Sequence, residues 1–275
     1  MKKSSFAQKI MNAPYIIWSV LFIIAPLIMV IYYAFTDAEG NATLNNIAQI
    51  GDYTATFVLS ISYGAIATLL CLVISYPFAY FLAQSKASFQ RTAVMLVMLP
   101  MWMSFLIRTY SWITILGESG VINRFLGVFG IEPFHMLNTG GAVILGMVYN
   151  FLPYMILPLY TVMSKMDNSL VEAAQDLGCS KFHCLRRVIF PLSVPGIASG
   201  VTMVFVPSVS TFYITQKLGG GQITLIGDVI EGQFQTAYNY NLGAALSLVL
   251  MVMILICLGL LNYFTDSDDD GGVLI

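Results

Sequence analysis

Residues 242–264 read LGAALSLVLMVMILICLGLLNYF, twenty-three residues without a charge. At a rise of ~1.5 Å per residue, a helix of that length crosses the ~30 Å hydrocarbon core of a bilayer. Five further stretches qualify in the same way, at roughly 13–35, 56–83, 92–116, 140–163 and 191–216. The 191–216 stretch is the least clean, because Pro207, Ser208, Ser210 and Thr211 interrupt it. The chain of 275 residues is 58% hydrophobic and 9% charged, with a net charge of −2. An ordinary soluble domain carries about a quarter charged residues, so a soluble enzyme is excluded. The charge balance also removes any composition-level case for nucleic acid. The expected fold class is an all-α membrane protein with six transmembrane helices.

Basic residues give the expected orientation. Lys2, Lys3, Lys9, Lys86, Arg91, Lys165, Lys181, Arg186 and Arg187 fall on one side of the six spans. Arg124 and Lys217 fall on the other, among Asp37, Glu39, Asp52, Glu118, Glu132, Asp228 and Glu231. Both termini are therefore expected to be cytoplasmic. The first span is too long for the apolar region of a cleaved signal peptide and reads as a retained anchor. The chain divides into 1–55 (tail, first span and outer loop), 56–264 (the helical core) and 265–275 (an acidic tail).

The spans carry no carboxylate of the kind that a proton- or sodium-coupled carrier places at the midplane. Arg108 is the one charge inside a span. Counted from Thr92 along a continuous helix it lies about 24 Å in, near the outer boundary, where a long side chain snorkels to water. Pro77, Pro100, Pro153, Pro158 and Pro207 each free a backbone carbonyl. With Tyr149, Asn150, Ser208 and Ser210 they suggest either a polar path through the bundle or ordinary packing polarity. Cys71 and Cys257 lie in spans. Cys179, His183 and Cys184 offer three metal-ligand types without a fourth and read as reduced thiols and an unrelated histidine.

The connection between the fourth and fifth spans reads SKMDNSLVEAAQDLGCSKFHCLRRVIFPLSVPG, residues 164–196. Ser169 and Glu172 have capping-box spacing, which predicts a helix starting at Leu170. Gly178 is placed to end it in a left-handed cap. Ser180 would cap a second helix that feeds the fifth span at Pro191. Leu170, Ala174 and Leu177 share one face, suited either to a groove in another protein or to the membrane surface.

Glu172-Ala173-Ala174, Gly178 and Val188-Ile189-Phe190-Pro191 resemble the E-A-A-x3-G-x9-I-x-L-P loop of ABC-importer permeases. Val188 and Phe190 depart from it conservatively. The chain is similar over about residues 14–264 to the MetI-like, binding-protein-dependent permeases, and within them to the PotB-type spermidine/putrescine branch. That similarity is carried by YPFAYFLA (76–83), LPMWMSFLIRTYSW (99–112), VYNFLPYMILPLY (148–160), EAAQDLGCSK (172–181) and LGGG (218–221).

The resemblance implies a MetI-like fold with one N-terminal helix before a five-helix core, in a bacterial inner membrane. It implies four kinds of partner: a second permease subunit, a pair of ATPase subunits, a periplasmic binding protein, and lipid. It also implies that Glu172, Ala173, Ala174, Asp176, Gly178 and Pro191 form an ATPase-coupling site. No phosphate-binding loop occurs in the sequence, so the chain is expected to be non-catalytic and free of cofactors, with ATP and Mg held by the ATPase.

For a polycation, weak aromatic and amide contacts suit transit better than carboxylates. The lining candidates are Trp102, Tyr149, Asn150, Tyr154, Ser210 and Tyr213, residue types that also populate membrane interfaces. Asp228 and Glu231 are candidates for steering cations or docking the binding protein. The alternatives are the same fold serving an amino acid, a sugar-like solute or an anion, and a self-contained channel or carrier, against which the loop argues.

Overall fold

A computed structural model of the chain describes residues 14–269, so Lys2, Lys3, Lys9 and the last residues of the acidic tail lie outside the described region. The described residues are mostly helical and contain no strand, only an isolated bridge between Thr36 and Ala42. Helix α1 is Pro14–Ala34, α2 Thr54–Ala83, α3 Ala87–Trp102, α4 Phe105–Leu116 and α5 Val121–Val128. Then come α6 Gly140–Met163, α7 Asn168–Asp176 and α8, which runs over 181–209. They are followed by α9 Tyr213–Leu218, α10 Ile226–Gln235 and α11 Tyr240–Asp269. Five helical stretches are long and apolar enough to cross a membrane, or six when α3 and the segment after it count as one bent span.

The chain forms two compact units. One comprises residues up to Ala55 together with Val229–Met253. Its small core is Ala34, Ala244 and Ala245, with Val30, Ile47, Ile50 and Leu248 packed on it. The carbonyls at the end of α1 have no partner within the helix, and two asparagines serve them. Asn241 Nδ2 donates to the Tyr33 and Thr36 oxygens at 3.2 and 2.7 Å. Asn46 Nδ2 donates to those of Ala34 and Thr36 at 3.3 and 2.8 Å. Next to them the backbone N–H of Asn41 holds the Asp37 carboxyl below its usual range, helped by its side chain and by the N–H of Glu39. None of the apolar window of α1 is buried within the chain, so lipid or another subunit must cover it.

The other unit comprises Thr56–Asp228 and the residues from Ile254 onward. Its centre is α6, with 61% of its apolar window buried, against 33% for α2 and for α8. Val143, Met147, Phe151, Met155, Leu159 and Met163 recur every four residues, and all are buried. At about 100° per residue a four-residue step advances 40°, so this row winds halfway round the helix and buries α6 on several sides. Alongside, α8 presents Gly196 and Gly200, a small-x-x-x-small pair that lets helices approach closely. A Cβ at Gly196 would stand 3.1 Å from Val162 Cβ and 3.2 Å from the Pro158 oxygen, both on α6.

Three expectations are corrected. The third span is not one helix over 92–116. It breaks at Met103 and Ser104, both in extended backbone, and α3 meets the Phe105–Val128 stretch at a bend of 91°. The 24 Å count for Arg108 assumed a continuous helix and does not apply. Arg108 lies one turn past the break, 7% exposed, and its Nε and Nη1 have no hydrogen-bond partner among the described residues. The fifth span starts earlier and ends earlier than 191–216. It runs over Leu185–Val209, and after Ser210 the chain leaves the helix and restarts as α9. The fourth span falls on 140–163 as expected.

Candidate functional site

The loop between α6 and α8 is built from local rules. Asp167, in extended backbone, caps α7 by accepting from the Ser169 N–H at 2.9 Å. The cap is therefore Asp167 rather than Ser169, and α7 begins at Asn168 rather than Leu170, because the Asp167 carboxylate, two residues upstream of the expected cap, accepts a free N–H of the first turn. The same backbone bond holds the Asp167 carboxyl below its usual range.

At the other end Gly178 has φ +83°. Its N–H donates to the Gln175 oxygen at 2.9 Å, and that of Cys179 donates to Ala174 at 3.0 Å. This pair of bonds is a Schellman closure, which needs a left-handed residue at the Gly178 position. Ser180 Oγ accepts from the His183 N–H at 3.4 Å, which starts the next helix as expected. That helix runs through a π-turn, Leu185–Ile189, into the Phe190–Val209 segment without interruption. Pro191 occupies its first turn and is exposed.

Glu172, Ala173, Asp176 and Gly178 are exposed, Ala174 is half-buried, and Leu177 is 90% exposed. Leu170 is also exposed, at 48%, so the apolar edge of α7 is left open. Beneath α7 lies a cavity of about 510 Å³, lined by Tyr80, Val171, Gln175, Lys181, Cys184, Leu185 and Ile189. Tyr76 fixes the foot of α8 to α2, with its hydroxyl 3.1 Å from Ser193 Oγ and its ring 5.9 Å from that of Phe190. No three His, Cys, Asp or Glu side chains converge as a metal site among the described residues.

The residues expected to line a path are distributed over several helices. Asn150 is buried at 1% exposure; its Nδ2 donates to the Gly146 oxygen at 2.8 Å and its Oδ1 has no partner among the described residues. Tyr149 is packed edge-on against Trp112 at 5.3 Å, and Tyr154 is tilted at 54° against Phe151 at 6.5 Å. Trp102 ends α3 at the break and is 73% exposed. Ser210 Oγ bonds back to the Val206 oxygen at 3.0 Å.

Tyr213 sits in a cluster, 5.9 Å from Phe105 and 6.4 Å from Tyr110, with Lys217 Nζ over it. The sequence alone does not mark Phe105, Tyr110, Trp112 or Lys217 as partners of Tyr149 or Tyr213. The spacing of Phe105, Arg108 and Trp112, which places them on one face of α4, was the available signal. Asp228 Oδ2 accepts from the Leu225 N–H at 2.8 Å at the start of α10. Glu231 lies one turn further on, half-buried.

Residues 3–266 match the family described as binding-protein-dependent transport system inner membrane component. The chain is 38% identical over 251 residues to the spermidine/putrescine transport system permease protein PotB of Haemophilus influenzae, covering 88% of each chain. It is 38% identical over 241 residues to PotB of Escherichia coli, covering 84% of this chain and 88% of that one. The inner membrane ABC transporter permease protein YdcU of E. coli is 30% identical over 66% of this chain and 62% of its own length. The crystal structure of a bacterial ABC transporter involved in import of the acidic polysaccharide alginate contains a chain of the same fold. Its TM-score is 0.74 at 18% identity, over 95% of this chain and 96% of that one.

Proposed function

This chain belongs to the binding-protein-dependent transport system inner membrane components, the permease subunits of ABC importers, and from that premise we propose that it carries spermidine and putrescine. It is a non-catalytic subunit, with ATP hydrolysed by a separate ATPase subunit. In the proposed complex it pairs with a second, PotC-like permease, a PotA-like ATPase dimer that binds ATP and Mg, and a PotD-like periplasmic binding protein. Lys86, Arg91, Lys165, Lys181, Arg186 and Arg187 set the proposed orientation, with α7 and both termini in the cytoplasm. Identity of 38% to two PotB proteins over nearly the whole chain supports the substrate.

The observation that carries the coupling role is the closed turn at Gly178 between α7 and an unbroken α8. Glu172, Ala173, Ala174 and Asp176, with exposed Leu170 and Leu177, form the docking surface for the ATPase. Gly178 and Ser180 fix α7 to the start of α8, and Pro191 begins its long segment. Gly196 and Gly200 hold α8 against α6, so a push on α7 displaces both helices together. Substrate passes aromatic faces and amides, with Asn150, Tyr149, Tyr154, Ser210, Tyr213 and Trp102 as contributors, and Asp228 and Glu231 act on the outer side. Reconstituted complex should import spermidine only with ATP and loaded binding protein, and import of an anionic or neutral solute in preference to polyamine would refute the substrate.

A further inference from the structure

We propose that Tyr110 and Tyr213 form a cage for a primary ammonium group, filled at rest by the chain's own Lys217. An ammonium end of the polyamine replaces Lys217 there during import, a step that rests on the polyamine reading above. Lys217 Nζ stands 5.7 Å from the Tyr110 ring centre and 5.8 Å from that of Tyr213. The two rings meet at 74° with centres 6.4 Å apart, so they form the two walls of a corner and the ammonium sits in it. Tyr213 and Lys217 are one turn apart on α9, and Tyr110 comes from α4, which packs against α9. Phe105 backs Tyr213 at 5.9 Å and carries the Arg108 guanidinium 5.9 Å from its own centre.

The two cations differ in freedom. Arg108 is buried and cannot give up its charge. Lys217 is half-buried on a flexible stem and can swing out to water. Exchanging one ammonium for another leaves the charge of the cage unchanged, and the hydration lost by the incoming group is offset by the hydration Lys217 regains. A carboxylate in this place would hold a polycation too firmly to release it, whereas ring faces hold an ammonium weakly. An anion is repelled by the negative faces of the two rings and cannot take the place of Lys217 between them, so the exchange selects for amines.

The test uses the whole complex in proteoliposomes. Lys217→Met keeps the stem and removes the competing charge. The half-saturating concentration of spermidine-loaded binding protein should fall about fivefold, the size of one cation–π contact. Tyr110→Leu and Tyr213→Leu should each raise it by a similar factor. In the wild-type complex in detergent, a brief pulse of a water-soluble amine reagent should label Lys217 severalfold more, relative to exposed Lys86, when spermidine is added, the ratio cancelling the reagent that free spermidine consumes. That readout does not depend on how any variant folds.

Import of spermidine with Lys217→Met unchanged and labelling unmoved overturns the cage and leaves the polyamine reading standing. Labelling raised by spermidine in a complex that imports no polyamine supports the cage and overturns the substrate reading. Neither import nor a labelling response overturns both.

Discussion

Alanine at Gly196 and at Gly200 should have opposite consequences to those suggested by the closest distances. A Cβ at Gly200 would lie 2.5 Å from Met155 Sδ, and one at Gly196 only as near as 3.1 Å, to Val162 Cβ. The Met155 thioether is the adaptable end of an unbranched side chain and can swing aside, while its backbone oxygen stands at an ordinary 3.4 Å. Val162 Cβ is fixed to its backbone, and the other close atom at Gly196 is the Pro158 carbonyl oxygen, 3.2 Å away. Neither can turn, so α6 and α8 must part by a few tenths of an ångström.

Replacing glycine by alanine in a helix gains about 0.8–1 kcal/mol of propensity, and overpacking costs about 1–3 kcal/mol where the neighbours are rigid. Gly200→Ala should therefore be within ~1 kcal/mol of neutral, and Gly196→Ala destabilising by up to about 2 kcal/mol. Thermal unfolding of the purified complex in detergent, with ATP-driven uptake measured in parallel, separates them. Gly196→Ala should lose uptake along with stability if α6 and α8 move as one body. A larger loss at Gly200 than at Gly196 would refute the reasoning.

The turn at Gly178 offers a second test. A Cβ there meets nothing within 4 Å, so the whole cost is backbone conformation. Gly178→Asn, which tolerates left-handed backbone, should keep most uptake, and Gly178→Val should lose it; equal loss would point to sterics at a docked partner instead. For orientation, an impermeant thiol reagent should label Thr236→Cys in intact cells, and Cys179 only in inside-out vesicles. Cys184, 1% exposed, should stay unlabelled in both. The Asp167 cap predicts a pH response with a definite sign. Its folded pKa lies below the ordinary 3.8, so its stabilisation is complete above that value and is lost only as pH falls through the lowered one. Circular dichroism of the complex should show no pH-dependent change from this cap between pH 5 and 8, and a helix loss in that range that Asp167→Asn removes would contradict it.

How much of this was legible in the sequence depends on the range of the interaction. The fourth span and the Gly178 closure follow from length, periodicity and a residue type that one backbone conformation demands, and the sequence carries all three. The break at Met103 and Ser104 does not follow in that way. Pro100 looks no different from Pro77, Pro153 or Pro158, which sit inside continuous helices, and two extended residues after it, not the proline itself, turn the chain. The depth of Arg108 depends on that break, since a count along the chain holds only for a continuous helix. Asp167 is masked in the sequence by Ser169 and Glu172, whose spacing matches the capping box more fully. The Tyr110, Tyr213 and Lys217 corner joins two helices about a hundred residues apart, and Lys217 was visible in the sequence only as one more charge on the outer side.

The fan of bonds from Asn241 bears on how the protein is made. Its Nδ2 closes on the Thr36 oxygen across a sequence separation of 205 residues. Chains grow at about 5–20 residues per second, so the first helix leaves the ribosome roughly 10–40 s before the residue that completes its end has been synthesised. Asn46, only 10 residues beyond Thr36, can serve the same carbonyl almost at once. The early helix is thus held first by a local bond that persists in the folded chain, and the second bond to the same oxygen marks the arrival of the last span. Nascent chains stalled before residue 241 should show the 35–41 turn open to protease, and chains released after it should show that turn protected.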